Sequence, residues 1–218
     1  MGLNLFSILL VVHITGGSLS LLLGSYILIT TKGTTLHKRV GKMFYYSMLI
    51  AAMVAIPMTY LHPNGFLFLI SVFTVYMLLT GIRSIHKRDI SSINIWDWFL
   101  TILMIFFGFA FLIYGVLYLI NGNGFGIVYI AFGIIGILFS YIDYINFMGK
   151  SRYRNFYLMT HIQRMTGSYI ASFTAFLVVN NRFLPDILAW LLPTIILLPF
   201  IVKWSRSRKV LKTNELKT

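Results

Sequence analysis

The stretch YLMTHIQRMTGSYIASFTAFLVV, residues 157 to 179, is apolar enough to sit in lipid, yet it carries His161 and Arg164 one helical turn apart. An imidazole exchanges protons near neutral pH, and a guanidinium holds carboxylates and other anions through a rigid fork of donors. Inside the apolar stretches, the ionisable groups that can answer them are the carboxylate of Asp143 and the imidazole of His13. A charged side chain at mid-membrane costs about 2.5 to 3.5 kcal/mol on insertion scales, so such groups face partners or water. Three arrangements fit these residues. Asp143 and Arg164 can form a buried ion pair that fixes helix register while His161 bonds a backbone carbonyl. The same cluster can bind a proton, a metal ion or a small polar solute. Or Arg164 can extend along its stem to the inner surface.

The elements that position these groups follow from composition. Of 218 residues, 58% are hydrophobic and 11% charged, and the mean hydropathy is +0.84; a soluble domain of this size cannot hide so much apolar side chain. A hydrocarbon core about 30 Å thick takes roughly 20 helical residues. Polar and Gly/Pro punctuation cuts the chain into seven stretches of that order, near 3–30, 41–60, 66–85, 97–120, 124–148, 155–180 and 187–205. Continuous apolar runs exclude the alternating pattern of an outer-membrane barrel. The expected fold is an all-α, seven-helix transmembrane domain over 1–205, followed by a basic cytoplasmic tail over 206–218. The first span follows MGLNLF, which lacks the basic residues of a secretory signal, so it is expected to be a permanent helix.

Basic residues set the orientation, because cytoplasmic loops collect them. Sixteen of the eighteen Lys and Arg fall on one side: Lys32, Lys38, Arg39 and Lys42; Arg83, Lys87 and Arg88; Lys150, Arg152 and Arg154; and Lys203, Arg206, Arg208, Lys209, Lys212 and Lys217 of the tail. The amino terminus is therefore expected outside and the carboxyl terminus in the cytoplasm. A net charge of +13 arranged in this way is what topology alone produces and does not call for nucleic acid. The tail KWSRSRKVLKTNELK suits anionic lipid headgroups, at about 1 kcal/mol per basic residue near the surface. With no cysteine, disulfides, thiolate metal sites, iron–sulfur clusters and covalently attached haem are excluded.

Short turns, HPNG at 62–65 and NGNG at 121–124, leave no room for a separate soluble domain. Trp96, Trp98, Trp190 and Trp204 fall at span ends, where indole rings anchor at the headgroups. Asp97 is placed to cap the fourth span, Pro57, Pro193 and Pro199 to kink the second and seventh. His62 and His86 read as boundary residues, and Arg83 with His86 as a solvated helix end. Helical spacing aligns His13, Gly17, Ser20 and Gly24 on the first span, Gly133, Gly136, Ser140 and Asp143 on the fifth, and His161, Arg164, Ser168, Ala171, Ser172 and Ala175 on the sixth. Stripes of small residues mark helix contacts. By depth, Asp143, His161 and Arg164 can share one layer of the inner leaflet, His37 borders that layer from the cytoplasm, and His13 lies in the outer half.

The blocks HITGGSLSLLLGSYIL (13–28), LHKRVGKMFYYSML (36–49), LLTGIRSI (78–85), Asp143, HIQRMTGSYIASFTAFLVVN (161–180) and AWLLPTIILLPFI (189–201) cover nearly the whole chain. In them the sequence resembles a family of uncharacterised bacterial membrane proteins, domain of unknown function 2306. The resemblance implies a multi-pass protein of the bacterial inner membrane with His13, His37, Gly41, Asp143, His161 and Arg164 as pattern positions, and implies no activity.

Function therefore rests on the residues. A proton-coupled or small-solute transporter fits an inward-facing His/Asp/Arg layer: His161 changes protonation, Asp143 offsets the charge, and Arg164 holds an anionic substrate or the resting ion pair. A non-catalytic membrane scaffold or partner-binding subunit is the alternative, with the polar residues setting packing alone. A haem electron-transfer protein needs two imidazoles at equal depth on facing helices, for which His37 and His161 are the candidate pair. Seven-span zinc hydrolases resembling the alkaline ceramidases or the progestin and adipoQ receptors carry an H-x-x-x-H pair on the last span. The last span here has no histidine, which disfavours zinc; haem is disfavoured too, since His13 has only His62, at a turn, as an outer mate, and a non-enzyme is the favoured expectation.

Overall fold

The computed structural model describes residues 4–87 and 90–207. Arg88 and the tail residues Arg208, Lys209, Lys212 and Lys217 lie outside the described residues. Among the described residues there are seven α-helices and no strand: α1 (Leu5–Ile29), α2 (Thr35–Leu61), α3 (Gly65–Ile85), α4 (Ile95–Ile120), α5 (Gly126–Phe147), α6 (Phe156–Asn180) and α7 (Asp186–Ser207), with a short 3-10 turn at Ile90–Ser92. Six of the seven are long and apolar enough to cross a membrane. The exception is α6, which is as long as α1 but carries His161, Gln163, Arg164 and a run of Ser and Thr.

Local chemistry sets the ends. The side chain of Asn4 accepts from the Ser7 amide at the start of α1, and that of Thr34 from the His37 amide at the start of α2. At α4, Asn94 and Asp97 form a reciprocal capping box. Both α4 and α5 close in a Schellman motif: Asn123 N–H donates to Tyr118 O and Gly122 N–H to Leu119 O, and likewise Lys150 to Ile145 and Gly149 to Asn146. The positive φ values this requires, 76° at Gly122 and 72° at Gly149, are ones that glycine adopts without strain. Lys32 finishes α1 by donating its ammonium hydrogens to the carbonyls of Ile27, Leu28 and Thr30.

Two boundaries differ from expectation. The Thr34 cap starts α2 at Thr35, six residues before the expected 41, so His37 sits in a first helical turn and not in a connecting loop. The last helix runs to Ser207, two residues into the segment expected as tail.

The described chain divides into two compact units, one drawn from Met1–Leu78 and Thr166–Pro199, the other from Leu79–Met165 and Phe200–Thr218. In the first, α1 packs on α2 through small residues: a Cβ on Gly16 would lie 3.0 Å from the Ser47 carbonyl, and one on Gly24 would lie 3.1 Å from the Phe44 ring and strike the Tyr169 ring of α6. Gly17, expected in that stripe, has nothing within 4 Å of a Cβ; the contact line runs through Gly16, Ser20 and Gly24 instead. Ser25 and Tyr169 share a hydroxyl hydrogen bond of 2.7 Å, and Ser172 donates to the Met48 sulfur at 2.9 Å.

In the second unit, α4 and α5 approach glycine on glycine. A Cβ on Gly133 would lie 2.8 Å from the Gly108 carbonyl, and one on Gly115 would lie 2.7 Å from the Gly126 carbonyl. No real Cβ fits at such distances, so backbone packs directly on backbone.

Candidate functional site

The second unit holds the ionic residues. Asp143 is on α5 one turn before its end, and Arg164 on α6 two turns after its start; each is 2% exposed. Arg164 Nη2 donates to Asp143 Oδ1 at 3.0 Å and to the Phe139 carbonyl at 3.0 Å. Its guanidinium carbon also lies 3.9 Å from the centroid of the Phe139 ring, within the range of a cation–π contact. One turn of α5 thus supplies a carboxylate, a carbonyl and an aromatic face to a single guanidinium. The ion pair is closed, and Arg164 does not run out to a surface.

The ring of His161, one turn before Arg164, turns to α3, where Nδ1 donates to the Gly81 carbonyl at 2.9 Å. Because a carbonyl only accepts, the hydrogen is on Nδ1, and in the neutral ring Nε2 keeps the lone pair. Gly81 makes this contact possible. A Cβ there would lie 2.9 Å from Arg164 Cβ and 3.0 Å from Met165 Sδ, so any side chain would push α3 off α6. The sequence signal for Gly81 was a glycine within an otherwise apolar helix, a mark of close backbone approach. Nothing in the sequence points to the Phe139 carbonyl and ring.

A second ion pair stands where α3 ends and α4 begins. Asp97 Oδ1 accepts from Arg83 Nε at 2.8 Å and from Lys87 Nζ at 2.6 Å, while Oδ2 accepts from the Asn94 amide at 3.0 Å. Arg83 also donates to Asn94 Oδ1 at 2.7 Å. The expected capping role of Asp97 is present, but the expected solvated end at Arg83 is corrected: Asp97 ties that end to the next helix. His86 is exposed, as a boundary residue would be. Lys87 is 7% exposed and lies 5.2 Å from the Phe147 ring centroid. Burial pushes its ammonium below the ordinary value; the hydrogen bond and charge of Asp97 pull it back up, Arg83 opposes, and the charge of Asp143 adds a further upward pull.

The other histidines are placed elsewhere. His13 Nδ1 donates to the Ala51 carbonyl at 2.9 Å, within the first unit and against α2, as an inward-facing imidazole should. His37 is half-buried in the same unit, in the first turn of α2, and His62 closes α2 with its ring 4.0 Å from that of Phe6. Thus Asp143 and Arg164 pair within one unit, His161 lies in that unit one turn from Arg164 but bonds α3, and His37 belongs to the other unit. Among the described residues, no three His, Cys, Asp or Glu side chains gather as a metal site would need. Compared with known proteins, the chain matches no family model, no curated protein and no solved structure.

Proposed function

We propose that this is a seven-span protein of the bacterial cytoplasmic membrane, amino-terminal side outside, that carries protons, alone or with a small polar solute, through the Asp143–His161–Arg164 layer. The observation that carries the reading is the full burial of Arg164 against Asp143. A buried ion pair is a poor device for stability, since apolar residues of similar volume often do as well or better. Its use is as an element with two states. Protonation of Asp143 releases Arg164 for an anionic group, and His161 Nε2 holds the lone pair that accepts or returns the proton. The polarity of α6, with His161, Gln163 and Arg164 in its first half, supports its lining the route. The basic residues support the orientation and a tail lying on anionic headgroups. The sequence blocks around His13, His37 and His161 support membership of the domain of unknown function 2306 family.

A scaffold is the second reading, favoured by one observation: Arg164 and His161 both donate to backbone carbonyls, as packing residues do. Vesicles containing the purified protein and an internal pH dye separate the two. Under the transport reading, Asp143→Asn and His161→Ala abolish proton entry driven by a membrane potential. Under the scaffold reading, wild-type vesicles are as tight as empty ones, and the substitutions lower only thermal stability.

A further inference from the structure

The antiparallel contact of α4 with α5 has a readable register. Met104 lies against Gly136, Gly108 against Gly133 and Gly115 against Gly126, and the Trp98 ring stacks edge-on to Tyr144 and Phe147. On this register Thr101 comes level with Ser140, and Asp97 with Asp143. The two carboxylates therefore share one depth on neighbouring helices, Asp97 held by Arg83 and Lys87, Asp143 by Arg164.

One turn further along α4, level with Ser140, stands an unused hydroxyl. Thr101 is 1% exposed, lies one turn from Asp97, and its Oγ1 has no hydrogen-bond partner among the described residues. Thr and Ser inside helices ordinarily satisfy themselves on the preceding turn, as Ser140 does on the Gly136 carbonyl. A buried hydroxyl that forgoes this bond loses free energy unless it has a polar partner such as water.

We propose that Thr101 Oγ1 holds a water that joins Asp97 to Asp143, so that protons reach Asp143 from the basic end of the unit through Lys87 and Asp97. The charged groups facing this path are Arg83 and Lys87 from the α3 end, Asp97 on α4, Asp143 on α5, and Arg164 with His161 on α6. The proton moves as hydronium or by exchange along hydrogen bonds; no covalent bond other than O–H and N–H changes. Lys87 suits this role because its ammonium is buried, lies on a carboxylate and feels the Asp143 charge. The inference rests on the transport reading and adds an entry route to it.

The test uses vesicles with an internal pH dye and compares wild type with Thr101→Val, Thr101→Ser and Asp143→Asn. Thr101→Val keeps shape and removes the hydroxyl; the path predicts a loss of flux of about tenfold, the cost of one hydrogen bond in the route. Thr101→Ser restores the flux, and that rescue excludes a folding defect at this position. Flux in wild type that Asp143→Asn abolishes and Thr101→Val leaves intact overturns the path and keeps the transport reading. Wild-type vesicles no leakier than empty ones overturn both.

Discussion

Removing either partner of the Asp143–Arg164 pair leaves a buried group stranded, and the size of the effect can be worked from its contacts. In Asp143→Asn the guanidinium keeps the Phe139 carbonyl and ring but loses a charge-assisted bond inside the protein. The expected cost is about 3 kcal/mol, at the lower end of the range for broken buried pairs because two of three anchors survive. Arg164→Met strands the carboxylate, and its cost should likewise be about 3 kcal/mol. The double variant Asp143→Leu/Arg164→Met removes both charges at once, and its loss should fall well below the sum of the single losses, within about 1 kcal/mol of wild type. The assay is equilibrium unfolding in mixed micelles titrated with a denaturing detergent, followed by helix circular dichroism. Losses that add to within about 0.5 kcal/mol would mean that the two side chains do not interact, and would refute the pairing.

Other consequences are cheaper to check. Gly133→Ala puts a Cβ 2.8 Å from the Gly108 carbonyl and should destabilise by about 1 to 3 kcal/mol, whereas Gly17→Ala meets open space and should be neutral or gain up to about 1 kcal/mol; both are read by thermal unfolding in detergent. The chain has no cysteine, so single cysteines report topology cleanly: Asn123→Cys should label with an impermeant maleimide from outside intact cells and Arg152→Cys only after lysis, and the reverse pattern would invert the orientation. For Lys87, burial lowers the folded-state value, so the folded protein holds that proton less tightly than the unfolded chain. Its contribution to stability therefore rises with pH up to the ordinary lysine value of about 10.4. The stability of wild type relative to Lys87→Gln should shift in favour of wild type as pH rises toward that value, and a flat difference would show that the amine is not buried.

The helices were legible because membrane-length apolar runs and their stop signals are written locally: Asn-Gly and Met-Gly at the ends of α4 and α5 lead to the left-handed glycines at 122 and 149. The pairing of Asp143 with Arg164 was legible as one of three arrangements, because few ionisable residues stood inside apolar runs and helical spacing aligned them. What stayed hidden depends on contacts between helices distant in sequence. Gly16 and Gly17 are equivalent in composition, and only the approach of α2 selects Gly16. Lys87 looked like one more basic loop residue because a connection's charge and its burial are independent in sequence; its burial shows only once the Asp97 carboxylate and the Phe147 ring are placed beside it. The Gly81 and Phe139 carbonyls carry no side-chain signature at all, and they are found only once α3, α5 and α6 are placed.

In the proposed transport, Asp143 is the group that passes protons. A pH jump across a solid-supported membrane carrying the purified protein measures this directly. A transient current in wild type that is absent in an equally well-folded Asp143→Asn sample is the predicted result. A wild-type trace equal to that of the bare membrane, or a full current in Asp143→Asn, would contradict it.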